Sequence, residues 1–230
     1  MGKNYLMLCA LTFCAAVQAF SYTFTDDMQR TVNVTAPRRV AVLQGSLADV
    51  WQLSGGSLAA ATEDAFTEPA VIPASHSASV THAGSMMSPN TELLLACGVD
   101  FVILSANIAS HRKLEPFFKN AGIPAAYFSA ETFSDYLRML SVCCAITGRP
   151  DLYEENGVQV QRRITDILSS IKSTAKTPAP KVLLLRAFSG GVEAKDSSSM
   201  TGAMLKDLGC TNMADGAQWK LKDISLEKII

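Results

Sequence analysis

The chain has 230 residues, with 20 Lys and Arg against 21 Asp and Glu and a formal net charge of −1. No basic excess points to nucleic acid or an anionic membrane surface. The length suffices for one large core or two smaller ones.

Residues 1–19, MGKNYLMLCALTFCAAVQA, hold one charged side chain, Lys3, an apolar run from Tyr5 to Val17, and small residues at Val17 and Ala19. That pattern reads as a secretory signal peptide cut after Ala19. The protein is then exported, to a periplasm or to the outer face of the cell membrane. Phe13 before Cys14 and Leu8 before Cys9 speak against lipidation, and no later stretch is long enough to span a bilayer. Cys97, Cys143, Cys144 and Cys210 remain, without CxxC or zinc-type spacing, and read as small buried residues. A disulfide from Cys143 or Cys144 to Cys97 stays open.

YTFTDDMQRTVNVT alternates around a polar turn and predicts a hairpin. RVAVL (39–43) predicts a strand and SLADVWQLSG (46–55) a helix, with Leu47, Val50, Trp51 and Ser54 on one side. A weaker strand, LAAAT (58–62), precedes a long loop from Glu63 to Met87. SPNTELLLAC (88–97) predicts a helix with Ser88 as N-cap and Pro89 first. There follow a strand at DFVILSA (100–106), a helix at HRKLEPFFKNAG (111–122), a strand at AAYFSA (125–130) and a helix at FSDYLRMLSVCCAITG (133–148). Such alternation, with strands apolar throughout, implies a parallel sheet covered on both faces. Ligands bind such sheets at the carboxyl ends of the strands.

RPDLYEENGVQVQRRITDILSSIKS (149–173) predicts one long helix, on the order of 35 Å, with a stripe of Val160, Ile164, Ile167, Leu168 and Ile171. It reads as a rigid bridge between two lobes, with an ordinary long surface helix as the plainer alternative. KVLLLRAFSGG (181–191) predicts a strand that ends in Arg186, Phe188 and a glycine pair. MTGAMLKDLG (200–209) reads as a helix, CTNMAD as a short strand or loop, and DISLEKII as a helix capped by Ser225. One good strand does not make a stable lobe, so the second lobe reads as incomplete and the chain as a piece of a longer one. The expected division is a leader at 1–19, an N-terminal α/β lobe at 20–148, a bridging helix at 149–175 and an incomplete C-terminal α/β lobe at 176–230.

The ordered set FTDDMQRTVNVTAPRRVAVLQGSLADV, GSMMSPNTELLLACGVDFVILSA, AGIPAAYFSAETFSDYLRML, ITGRPDLYE, GAMLKDLGCTNMAD and DISLEKII resembles the solute-binding proteins of bacterial ABC importers. The class concerned joins its lobes by one long helix and includes vitamin B12 (cobalamin)-, haem- and ferric-siderophore-binding members. The resemblance covers the mature chain and implies a monomer that captures a small ligand, a metal chelate, between its lobes. It also implies delivery to a membrane permease, with no cofactor and no nucleic acid. By position it assigns Gly45 and Ser46, Gly84 and Ser85, Arg186, Phe188 and Trp219 to the ligand cleft. A guanidinium beside an aromatic ring suits an anionic, partly apolar chelate. Arg186 in a structural ion pair and Phe188 in the lobe core are the plainer alternatives. Glu92 and Glu227 are assigned to permease docking, against a plain preference of acids for helix N-termini.

Two rivals remain open on the sequence. His76, His82 and His111, with a carboxylate, would suit a zinc- or manganese-binding relative, although they lack short ligand spacing. An exported enzyme would need a nucleophile or phosphate motif, and neither GxSxG nor GxxxxGK[ST] occurs. Glu63, Asp64 and Glu68 share a loop without a partnered base.

Overall fold

The computed structural model describes residues 21–67, 69–174, 178–188 and 191–216. The expected leader, Trp219, the Ser225-capped helix and Glu227 lie outside them. The N-terminal hairpin pairs β1 (Ser21–Thr25) with β2 (Thr31–Thr35). Its turn is tied down by Asp26, which is 1% exposed. That carboxylate accepts backbone N–H groups of Met28, Arg30 and Tyr127 and pairs with the Arg30 guanidinium at 2.6 Å.

The central sheet is five-stranded and parallel, in the order β5-β4-β3-β8-β9. Here β3 is Val40–Val42, β4 Ala60–Ala61, β5 Thr81–His82, β8 Phe101–Ser105 and β9 Ala125–Phe128. Alternate residues enter two separate cores. Val40, Val42, Phe101, Ile103 and Phe128 face α1 (Gly45–Leu53) and α6 (Phe133–Thr147). Ala41, Val102, Leu104 and Tyr127 face α3 (Thr91–Ala96) and α5 (Glu115–Asn120). Burial on both faces is why β3, β4, β9 and β8 as far as Leu104 are apolar at every position, whereas the edge strand β5 is the polar pair Thr81–His82. Cys143 and Cys144 belong to the first core and Cys97 to the edge of the second, so the sheet separates them and all described cysteines are free thiols.

Several local expectations are corrected. The stretch 63–87 is not one loop: it holds α2 (Glu63–Thr67), the edge strand β5 and β6 (Gly84–Ser85). Ser88 and Pro89 form β7 (Ser88–Pro89), paired with β6. The cap of α3 is Asn90, whose Oδ1 accepts the Leu93 N–H at 3.0 Å. The helix expected at 111–122 is split into α4 (Ala109–Arg112) and α5, because Pro116 lacks the amide a continuous helix needs and crowds the preceding turn.

The long helix is present but not uniform. α7 (Pro150–Tyr153) and α8 (Gln159–Thr174) are joined by a π-helical turn, Glu154–Val158. Tyr136 Oη donates to Asn156 O at 2.8 Å and Asn156 Nδ2 donates to Leu53 O at 2.9 Å. The Tyr136 hydroxyl thus satisfies a backbone carbonyl of the π turn from outside the helix, and both bonds tie the turn to α6 and α1.

In the C-terminal part the single strand expected in 181–191 is two elements. β10 (Lys181–Val182) pairs in parallel with β13 (Thr211–Asn212), while β11 (Leu184–Phe188) forms an antiparallel hairpin with β12 (Gly191–Lys195). The helix α9 (Met200–Asp207) is capped by Ser199.

Candidate functional site

All five strands of the central sheet run the same way, so their carboxyl ends share one edge. The strand order reverses between β3 and β8. The connection leaving β3 enters α1 on one face, and that leaving β8 enters α4 and α5 on the other. Connections that part in this way open a crevice at the edge.

On the β3 side the crevice is walled by Gln44, Gly45 and Ser46. They line a cavity of about 490 Å³ with Asp49, Asp64, Thr67, Ala70 and Val71. Gly45 is buried and has a packing reason: a Cβ there would meet Ala65 N at 3.0 Å and the Asp64 carbonyl carbon at 3.1 Å. The close approach lets Asp64 Oδ2 accept the Gly45 N–H at 2.6 Å, while Thr62 Oγ1 donates to Asp64 Oδ1 at 2.6 Å. Ser46 is exposed at the mouth. Gln44 Oε1 is buried with no hydrogen-bond partner among the described residues. Burial pushes the Asp49 carboxyl above its ordinary range.

A second wall is the β6–β7 hairpin. Gly84 takes φ +85°, a conformation that favours glycine, as the chain leaves β5. Ser85 Oγ accepts the Met87 N–H at 3.2 Å, shaping the tip, and Met87 is 61% exposed there. At the end of β8, Asn107 Nδ2 donates to Ser129 Oγ at 2.9 Å and to Glu131 Oε1 at 2.7 Å, joining the loops after β8 and β9. The sheet edge thus gathers Gly45, Ser46, Gly84 and Ser85 at the ends of two strands, β3 and β5.

Arg186 is placed elsewhere, in the middle of β11 opposite Glu193, with the guanidinium at 3.7 Å from Glu193 Oε1. Lys195 Nζ also reaches Glu193 Oε1, at 2.5 Å. The Arg186 side chain is 66% exposed. Phe188 ends β11 opposite Gly191. Glu92 is exposed in the first turn of α3, after an Asn rather than a Ser cap.

The histidine trio does not form a metal site. His111 is 0% exposed; its Nδ1 accepts the Ser105 N–H at 3.0 Å and its Nε2–H donates to Met86 O at 2.8 Å. No lone pair is left for a metal. His82 Nδ1 accepts the Gly84 N–H at 3.2 Å, and His76 Nδ1 lies 3.1 Å from Ser75 Oγ. Among the described residues no group of three His, Cys, Asp or Glu could hold a metal ion, and no helix is long and apolar enough to cross a membrane.

Sequence reasoning weighed Asp64 only as an acid without a partnered base and missed its bond to the Gly45 N–H, and it did not single out Asn107 or Met87. Thr-x-Asp directly after a small-residue strand was a usable signal for Asp64. Nothing in the sequence marks Asn107 and Met87.

A family model described as "Periplasmic binding protein" matches residues 40–230. No curated protein sequence matches. Among solved structures, the siderophore-binding protein BauB, bound to two molecules of acinetobactin and ferric iron, is 17% identical with a TM-score of 0.69 and covers 91% of this chain and 73% of its own. The periplasmic catecholate-siderophore binding protein VctP from Vibrio cholerae is 16% identical with a TM-score of 0.71, covering 91% and 74%. The periplasmic heme binding protein HutB of Vibrio cholerae is 17% identical with a TM-score of 0.66, covering 83% and 71%. At these identities the likeness is one of fold.

Proposed function

The chain belongs to the periplasmic binding protein family, binding proteins rather than enzymes, and we propose that it captures a metal chelate for an ABC importer. The ligand class is a ferric siderophore, haem or a cobalamin-type complex, delivered to a membrane permease from the periplasm or the outer face of the membrane. The observation that carries the reading is the crevice at the strand reversal, where Ser46 and Ser85 stand at the ends of β3 and β5 in a chain matched by the family over residues 40–230. The ferric siderophore complex bound to BauB and the description of HutB as a heme binding protein support the ligand class.

In this reading residues 20–148 form one lobe, 149–175 the bridge and 176–230 the second lobe, after a leader at 1–19. The separate pairing of β3, β4, β5, β8 and β9 on one side of the helix, and of β10 to β13 on the other, supports that division. Ser46, Ser85 and the glycine backbones offer neutral hydrogen-bond partners from the first lobe. Arg186 would offer a cation from the second, and Phe188 and Trp219 are the apolar residues assigned to the same cleft. Glu92, exposed on α3, and Glu227 meet the permease.

Calorimetric titration of the mature protein with haem, cyanocobalamin, ferric desferrioxamine and a ferric catecholate tests the reading, with zinc as a control. One-to-one saturation by a chelate, weakened by Arg186→Ala, is the expected result. In cells, Glu92→Arg lowers uptake of that chelate without changing its binding. Saturation by zinc alone, or by none of the five, overturns the proposal.

A further inference from the structure

Met86 lies at the tip of the hairpin that supplies Gly84 and Ser85, and its carbonyl accepts the Nε2–H of His111 at 2.8 Å. Because Met86 O can only accept, the proton sits on Nε2 and Nδ1 is free to accept. It does so from the Ser105 N–H, at the carboxyl end of β8, at 3.0 Å. The imidazole therefore spans from the central sheet to the hairpin. Its own backbone is held too, since the Tyr127 hydroxyl donates to His111 O at 3.1 Å. Among the described residues, no other hydrogen bond reaches residues 84–89 from outside 82–90.

We propose that His111 is a positioning residue that fixes the tip of the 84–89 hairpin against the end of β8 only while its ring is neutral, so that acid loosens this wall and weakens ligand capture. The ligand part rests on the reading given above; the positioning part does not.

Protonation would place a second N–H on the ring, at Nδ1, pointing at the Ser105 N–H. Two donors then face each other in a buried site, and the Ser105 N–H loses its acceptor. The ring relieves the clash only by turning or withdrawing, and either movement takes Nε2 away from Met86 O. The groups around it do not cancel this. Asp64, on α2, favours the cation through its field, and so does the bond to Met86, but burial outweighs both and holds the imidazole below its ordinary value. The Tyr127 hydroxyl, on β9, is pushed up to about 12 by burial and stays neutral. Arg112, the next residue on α4, turns its guanidinium to Ala106 O at 2.7 Å. The contribution of the neutral ring is complete above the ordinary histidine value of about 6.5 and is lost as pH falls from there through the lowered folded value.

The test is amide hydrogen exchange on the ligand-free full chain between about pH 8 and about pH 5, read as protection factors that remove the intrinsic pH effect. In the wild type, protection at Ser105 and Met87 falls about five-fold on acidification, the loss of one hydrogen bond, in step with the appearance of the imidazolium in the His111 15N spectrum. His111→Gln carries a neutral donor toward Met86 O, and its protection is flat with pH. His111→Ala lowers protection at Met87 at every pH; if that variant fails to fold, the wild type and His111→Gln decide. Ferric desferrioxamine, a chelate stable across this range, is the binding probe. Its affinity falls with acid in the wild type and not in His111→Gln. Flat protection in the wild type, or the same pH response in His111→Gln, overturns the proposal whatever the chelate does. The expected exchange pattern with no chelate bound at any pH leaves the positioning role standing and removes the ligand reading.

Discussion

Gly45 and Gly122 show two different uses of a missing side chain. Gly122 takes φ +69° with nothing within 4 Å of an added Cβ, so only its backbone conformation is special. At Gly45 the constraint is space, since the backbone of α2 stands 3.0 to 3.2 Å from where a Cβ would be. Neither Ala65 N nor the Asp64 carbonyl carbon belongs to a flexible side chain, so α1 and α2 would have to separate. Gly45→Ala should therefore cost about 1–3 kcal/mol, as overpacking does, read as a lower urea midpoint at unchanged slope. It should also lengthen the 2.6 Å hydrogen bond from the Gly45 N–H to Asp64. An unchanged midpoint would mean that the two helix ends slide apart freely.

Among the elements, α6 carries its start signal most completely. The Thr132 hydroxyl accepts the Asp135 N–H at 3.1 Å, and Asp135 Oδ2 accepts the Thr132 N–H at 3.0 Å, closing a capping box. Partial burial would raise the Asp135 carboxyl, but the hydrogen bonds to Thr132 and the field of Arg138 prevail and hold it below its usual range. Its contribution is thus complete above the ordinary aspartate value of about 3.9 and is lost as pH falls through the lower folded one. Thr132→Ala should cost about 1 kcal/mol at neutral pH, and the deficit should shrink in acid; a pH-independent deficit would deny the coupling. Signals this local are what made the fold legible. Both-face burial made DFVILSA readable as a central strand, and the glycine at Gly148, φ +70°, closed α6 where expected. The two-residue edge strand β5 was not legible, because two residues show no period. Nor was the hairpin of β11 and β12, whose apolar opening reads like a buried parallel strand. At the candidate site the glycines and serines stood out as strand-end residues. What holds them did not: Asp64 reaches Gly45 across 19 positions and His111 reaches Met86 across 25, and no local pattern encodes such pairs.

At the scale of the whole molecule, the connection from 150 to 174 decides how ligand binding can change shape. A π turn is a common place for a helix to bend, yet here it is braced. Asn156 is held from both sides, its carbonyl by the Tyr136 hydroxyl on α6 and its amide by Leu53 O at the end of α1. Gly157 packs so closely under Tyr153 and Leu137 that an added Cβ would lie 3.2 and 3.3 Å from them. The first half of the connection is therefore part of the N-terminal packing, and α8 leaves it as a helix of 16 residues, Gln159–Thr174. A single continuous helix resists hinge closure far better than paired extended strands, which absorb rotation in a few backbone dihedrals. Small-angle scattering of the full chain should then show the same radius of gyration with and without a saturating chelate. Tyr136→Phe removes one brace and should let the radius shift on binding without abolishing the fold. A marked contraction already in the wild type would mean that the π turn is a working hinge and that its braces break when ligand enters.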